Sequence, residues 1–490
     1  MDKLKEKGVG VGILADFQKD TLDKMVPGVV AQAEQVEQAQ DDELSKALST
    51  GHEINPEELA NGSALRAQYL KDDLTTLTFR EQDLYFYDLV PKSQVNNTVV
   101  QHNVLTSYGE VGATRFVREP EVAPENDPSI IRRAINLKFL SDTRRVTIAS
   151  QIVDNTVSPL TIQVESALRV TAKTIEWASF YGDADLSDST ETGQGLQFDG
   201  LAKLIAKDAP ENVIDARGEA LSEQLINLAA TRIAKGFGTP TDAIMPIGVL
   251  NEFNNRYQDR QVALVADGNG NMTTGINITK ADTVAGRISL HGSTIMETDN
   301  ILDEVFKPSR NAPLPAKIVA TLATGVTGNF REEDLGELEY VVTVNGEDAV
   351  SAKSAPATAT VSDKTGAVEL TVTLQTMYQQ SPQFVTIYRK GKSGNFQLIG
   401  RVATKGQSEL KFVDKNDIIP DTADAFVGQF TSDAITLYEL LPVMQLPLAR
   451  TNATTTFSVL WYGALGLFTP RKFVHIKNLA YTATNELKVY

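Results

Sequence analysis

Residues 99–148 read VVQHNVLTSYGEVGATRFVREPEVAPENDPSIIRRAINLKFLSDTRRVTI, two strand-like flanks around a charged middle that cannot be regular. Val99 to Arg118 and Ile135 to Ile148 carry strand patterns, with Ile135, Leu137 and Phe139 alternating against Asn136 and Lys138. Between them Pro120, Pro124 and Pro128 lack the amide hydrogen that a ladder needs. The stretch therefore predicts a long two-stranded arm. Acidic Glu119, Glu121, Glu125 and Asp127 sit at its tip, and basic Arg132, Arg133, Arg144 and Arg145 follow on the returning strand. An isolated hairpin is marginal in water, so the arm needs something to lie against. Opposite charges along it suit a neighbouring copy, and these residues are the candidate intersubunit contacts.

Downstream of the arm, Ser158-Pro159 is a good cap and first turn, and Gly182 a good stop, for a helix over 159–181. Val164, Leu168, Ala172 and Ile175 are its predicted inner face, on a rod of roughly 35 Å at ~1.5 Å per residue. A second amphipathic helix is expected from Glu219 to Lys235, then a strand from Ala243 to Val249 and a helix through Phe253 and Tyr257. Upstream, residues 31–48 (AQAEQVEQAQDDELSKAL) have little to bury, Gly51 to Gly62 reads as a linker, and helical spacing begins with Leu65, Tyr69, Leu70, Leu74 and Leu77. The first 60 residues are thus expected to be a detachable tail.

From Lys317 to Asp414 the texture changes to short alternating segments such as Leu338, Tyr340, Val342, Val344 and Val368, Leu370, Val372, Leu374, separated by turn signals at Asn345-Gly346 and Gly391-Lys-Ser-Gly394. This predicts an inserted immunoglobulin or fibronectin type III-like sandwich, the latter favoured because the Cys…Trp…Cys core is missing. After Pro420 mixed texture returns, with apolar strands at Thr454 to Tyr462 and Lys472 to Tyr481. The fold class is α+β with an inserted β-sandwich.

The chain has 490 residues, 46 basic and 63 acidic side chains, a net charge of −17 and no cysteine. Disulfides, cysteine-ligated metals and a thiol nucleophile are excluded, and the acidic balance opposes general nucleic-acid binding. No apolar run approaches the about 20 residues of a spanning helix. At the N-terminus Lys3, Lys5 and Lys7 precede GVGVGILA, whose glycines and following Asp16 argue against a secretory signal. His52, His102, His291 and His475 form no paired metal signature. The GKSG at 391–394 lacks the first glycine of a phosphate loop, and DGNGNM at 267–272 lacks the glycine and the closing Glu of a calcium loop. Glu332-Glu333-Asp334 reads as solvated surface. No catalytic residue, cofactor or metal is expected.

Several runs resemble one family. They include Ala64-Leu-Arg, DDLTTLTF (72–79), SDT (141–143), AKTIEWASFYGD (172–183), GLQFDGLAKLI (195–205), KGFGTPTDA (235–243), LHGSTIME (290–297), PQFVTIYR (382–389), DAFVG (424–428) and VLWYGAL (459–465). In order, from about residue 60 to the C-terminus, they resemble the major capsid proteins of large contractile-tailed, myovirus-type phages of Gram-positive bacteria. The resemblance implies a Hong Kong 97-type capsid fold. On that template residues 1–60 are a tail and possible propeptide, 61–95 an N-terminal arm, 96–155 the extended loop, 156–312 the first part of the peripheral and axial domains, 313–420 the sandwich and 421–490 their second part. It also implies hexamers and pentamers of the chain in an icosahedral head around double-stranded DNA, assembled in the host cytoplasm. Scaffolding and portal proteins, a prohead protease and a decoration protein would be its partners. The rival reading is an extracellular adhesin or surface-layer protein carrying the sandwich.

Overall fold

The computed structural model describes residues 84–107, 109, 118–120, 127–153, 158–257, 265–266, 272–273, 278–298, 300–302, 308, 311–375, 380–450 and 452–481. All belong to the unit Thr75–Tyr490. The expected tail, the helix through Leu65 and Leu77, and Glu121 and Glu125 lie outside the described residues.

A short helix α1 (Tyr85–Leu89) precedes β1 (Lys92–Gln94), β2 (Val99–Ser107), β3 (Ser129–Asn136), β4 (Lys138–Thr147) and a helical turn α2 (Ile148–Ile152). The arm is β2 paired antiparallel with β3, Val99 opposite Asn136 and Leu105 opposite Ile130. The returning strand expected over 135–148 is two strands, because the ladder breaks at Leu137. That side chain is buried, and beyond it β4 pairs with a strand near the end of the chain, Lys138 opposite Gly463 and Thr147 opposite Thr454. Alternation has the same period whichever partner a strand takes, so the pattern passes through the change of sheet unmarked.

Helix α3 spans Pro159–Tyr181, as the proline and glycine at its ends predict. Gly182 N–H bonds Ala178 O at 2.8 Å, and a Cβ there would meet Phe198 O at 2.3 Å, so only glycine fits the exit. Its buried stripe is Ala167, Thr171, Ile175 and Ala178, continued by Leu160 and Val164, while Leu168 is 38% exposed. The expected face was therefore about one residue out of phase, since the helix beds its stripe on β4 and its partner strand.

Next come α4 (Leu201–Asp208), β5 (Val213–Asp215), α5 (Glu223–Lys235), β6 (Asp242–Pro246), α6 (Ile247–Arg256), β7 (Val265–Ala266), β8 (Met272–Thr273), β9 (Lys280–Thr283), β10 (Gly286–Ser293) and α7 (Ile295–Thr298). Helix α5 starts later than expected because Ser222 is its cap, accepting from Leu225 N–H at 3.3 Å. The strand expected to reach Val249 ends at Pro246, where α6 begins.

The sandwich comprises β11 (Lys317–Leu322), β12 (Gly336–Asn345), β13 (Ala357–Val361), β14 (Val368–Thr373), β15 (Phe384–Lys390), β16 (Phe396–Ala403) and β17 (Glu409–Asp414). Its sheets run β11-β14-β17 and β13-β12-β15-β16, antiparallel throughout, around a core including Tyr340, Val342, Leu370 and Ile387. The order differs from an immunoglobulin domain, where the last strand joins the sheet of strands C and F; here the last strand lies beside β14. Inside, Arg389 is 2% exposed and meets Asp414 Oδ2 at 2.5 Å, with Tyr340 Oη donating to the same oxygen at 2.9 Å.

The chain closes with β18 (Thr422–Gly428), β19 (Ile435–Pro447), β20 (Thr454–Leu467) and β21 (Phe473–Ala480). These complete two sheets, β1-β19-β20-β4 and β5-β21-β18-β6-β10-β9. The first packs with α3 around Phe86, Phe180, Leu437 and Trp461; the second carries α5 and α6 over Ile226, Ile233, Val249 and Phe253. Sequence-distant ends of the chain thus share each sheet, which leaves the sandwich as an insertion between β10 and β18.

Candidate assembly surface

Among the described residues, the arm meets its own body at its root. Val100 and Ile135 pack against the central core, and His102 lies edge-on to Phe468 with ring centroids 4.9 Å apart. Burial, with Arg133 nearby, lowers the His102 pKa. Arg133 Nη1 donates to Asp208 Oδ2 at 2.5 Å, tying β3 to the end of α4. Farther out Leu105, Ile130 and Ile131 are 43%, 62% and 49% exposed. A strand pair with this much bare apolar surface is built to be covered.

The candidate contacts divide. Glu119, Asp127 and Arg132 are exposed on the arm, Arg132 Nε donating to Asn103 Oδ1 at 3.2 Å. Arg133 is committed within the chain. Arg144 and Arg145 belong to β4, opposite Phe457 and Thr456, and not to the arm. Arg144 Nε donates to Asp142 Oδ2 at 2.9 Å, whereas Arg145 is exposed and without an ion pair among the described residues. The expected single row of basic residues is thus spread over two sheets, for the reason that splits the strand at Leu137.

Sequence reading missed the clamp that roots the N-terminal side. Fully buried Glu176 on α3 accepts from the N–H groups of Phe86 and Tyr87 at 2.9 and 2.8 Å. Burial pushes its pKa up to about 7 despite those bonds. Glu439 on β19 accepts from Trp461 Nε1 at 3.0 Å and from Tyr87 Oη at 3.3 Å. Burial, and the Glu439 charge after it, raise the Tyr87 phenol to about 12. The signal was present as a lone acid amid the apolar run TIEWASFY, 174–181.

The exit of α3 also seats the sandwich. Arg401 on β16 donates to Tyr181 O and lies 5.2 Å from the Trp177 ring centroid, its pKa lowered by burial. Lys405 N–H reaches Ser187 O at 3.2 Å and Leu302 N–H reaches Phe396 O at 2.8 Å. Below it Lys203 bridges Asp183, Asp185 and Asp199 at 2.5, 2.6 and 2.8 Å. Burial would lower that ammonium, but the three carboxylates hold it above its ordinary value.

The motif look-alikes resolve structurally. Gly391–Gly394 is the turn between β15 and β16, and the Asp421 carboxylate accepts from Ser393 N–H at 2.8 Å, so an anion already occupies the loop. Glu332, Glu333 and Asp334 pair with Lys364, Lys392 and Arg331 at 2.5, 2.9 and 2.7 Å. His291 meets Asp242 at 3.0 Å, and His475 stacks on Phe426 with centroids 4.6 Å apart. His52 and part of DGNGNM lie outside the described residues. No described helix is long and apolar enough to cross a membrane.

A root-docked β-arm, a long helix behind it, two sheets packed with helices and a sandwich seated on the helix exit are the parts of an assembly subunit. Residues 46–352 match the model of the SU10 major capsid protein family. The chain is 47% identical over 450 residues to a putative major capsid protein of Enterococcus phage phiEF24C, spanning 91% of this chain and 96% of that one. It is also 47% identical over 468 residues to the major capsid protein of Staphylococcus phage K, spanning 94% and 100%. Among solved structures, the capsid of Myoviridae phage XM1 covers 88% of this chain and 100% of its own at 10% identity and a TM-score of 0.43. The chain belongs to the SU10 major capsid protein family. It is a phage structural protein of the virion capsid, and the adhesin reading falls with that membership.

Proposed function

We propose that the chain forms hexamers and pentamers that close into an icosahedral head around double-stranded DNA, with no catalytic role. The observation that carries this is the arm: its root is fixed by Arg133–Asp208 while Leu105, Ile130 and Ile131 remain uncovered, a geometry that a neighbouring copy completes. Glu119, Asp127, Arg132 and Arg145 are the charges available to set its register, together with Glu121 and Glu125 from the sequence. A net charge of −17 suits a container that holds DNA by confinement without gripping phosphates. Residues 1–60 are proposed as a propeptide removed by a prohead protease, and the inserted sandwich as an outward, immunoglobulin-like module on which a decoration protein could sit. Scaffolding and portal proteins complete the proposed partners, with assembly in the host cytoplasm. Negative-stain microscopy of purified chain at rising concentration should show rings, sheets or shells. A persistent monomer under all conditions would refute the assembly geometry.

A further inference from the structure

Helix α5 ends in a cap that contains the wrong residue for capping. Phe237 N–H bonds Ala234 O and Gly238 N–H bonds Ile233 O, both at 3.0 Å, the paired bonds of a Schellman motif. The position after the C-cap residue takes a left-handed backbone and is normally glycine; here it is Phe237, at φ 61°. Glycines flank it instead. A Cβ on Gly236 would lie 2.5 Å from Arg471 O, and one on Gly238 2.9 Å from both Ile233 Cγ2 and Lys472 Cγ. The turn is therefore packed rigidly against 471–472, yet the Phe237 ring is 94% exposed. Neither backbone preference nor burial within the chain accounts for a phenyl group there.

A second exposed apolar tip lies on a turn that approaches the segment just after Phe237. Val284, in the turn between β9 and β10, is 89% exposed, and a Cβ on neighbouring Gly286 would lie 3.5 Å from Thr239 Cγ2. Lys235, exposed and without an ion pair among the described residues, gives the knob a positive flank. The same chain carries a fitting recess. Between the loop after α3 and the end of β12 lies a cleft of about 560 Å³ lined by Leu186, Leu196, Ala349, Val350 and Phe384, with exposed Glu347 and Asp348 on its rim.

Resting on the capsid reading above, we infer that Phe237, supported by Val284, is a preorganised anchor that inserts into the Leu186–Leu196–Phe384 cleft of a second copy, with Lys235 facing Glu347 and Asp348. Knob and hole lie on different surfaces of one chain, so the contact is heterologous and repeats head to tail, closing rings when the rotation permits. A rigid aromatic anchor entering an apolar recess has the character of an interface hot spot.

The test uses the absence of native cysteine. In shells purified from cells producing the full chain, Phe237→Cys together with Leu196→Cys should give a ladder of disulfide-linked chains on mild oxidation, at least tenfold above either single variant. Phe237→Gly gives the cap its preferred residue, so it should fold as well as wild type while raising the concentration needed for assembly about tenfold. Normal shells that yield no ladder, or Phe237→Gly assembling at the wild-type concentration, overturn this contact alone. Failure of wild type to form any ordered assembly would instead sink the capsid geometry on which it rests.

Discussion

Replacing Glu176 by Gln should remove a large part of the subunit's pH dependence of stability. The carboxyl is buried under Phe86 and Tyr87, and its pKa in the folded chain is about 7, against an ordinary value of 4.5. Burial is the main cause, with the charge of Asp88 adding to it and the two backbone N–H bonds opposing. A carboxyl whose folded pKa lies above its unfolded value binds its proton more tightly in the native state. Its contribution is fully present below about pH 4.5 and is lost as pH rises through about 7. At ~1.4 kcal/mol per pH unit, that interval amounts to about 3 kcal/mol. The amide of Gln does not titrate, so whatever constant cost it adds by facing one backbone N–H with its own NH₂ cancels when two pH values are compared. Urea denaturation of unassembled subunit, followed by tryptophan fluorescence at pH 5 and pH 8, measures both proteins. Because part of the contribution is already lost at pH 5, wild type should lose about 2.5 kcal/mol more than Glu176→Gln across that range. Equal losses would show that the clamp carboxyl is not held protonated by burial, and the account of the α1–α3 junction would fail.

Truncating Arg389 to Met should destabilise the chain by about 3–5 kcal/mol, because Asp414 would be left buried without its cation; the sandwich transition in a thermal melt reports it, and the double variant Arg389→Met with Asp414→Leu should recover much of the loss. Charge reversal at Arg132 and Arg145 should leave the melt of the isolated subunit within about 0.5 kcal/mol of wild type while reducing the yield of shells seen by microscopy. Reversal at Arg133 should lower both, since it breaks the pair with Asp208; a stable Arg133→Glu subunit would show that this pair does not fix the arm.

How far the sequence could be read follows from what each residue reports. Pro159 and Gly182 report backbone geometry directly, so the ends of α3 were legible to the residue. Alternation from Leu338 to Leu374 reports strands with one face buried, so the sandwich was visible as strands, although its order was not. Alternation cannot name a partner, and for that reason the change of sheet at Leu137 and the assignment of Arg144 and Arg145 to β4 were hidden. The phase of α3 depended on which strands it would meet, and the clamp at Glu176 needed α1 to arrive from about 90 residues away. The Phe237 cap was written locally, as glycine on both sides of an aromatic after a helix, but only its exposure shows that the ring has no use inside the chain.

These divisions bear on how an arm finds its neighbour. If charge alone placed it, the acidic tip and basic strand would be interchangeable with many surfaces, because exposed pairs are worth ~0–1 kcal/mol each and are screened by salt. The structure instead spends its best-formed arm ion pair, Arg133–Asp208, inside the chain, where it fixes the direction in which β2 and β3 leave the body. The exposed Ile130 and Ile131 then meet a neighbour with their orientation already set, so less conformational freedom is lost on contact and the apolar burial contributes more of its full value. Assembly should consequently depend more on these isoleucines than on the charges around them. Ile130→Thr with Ile131→Thr should suppress shell formation even at low ionic strength, where the charge contacts are strongest; shells restored by low salt would reverse that ranking.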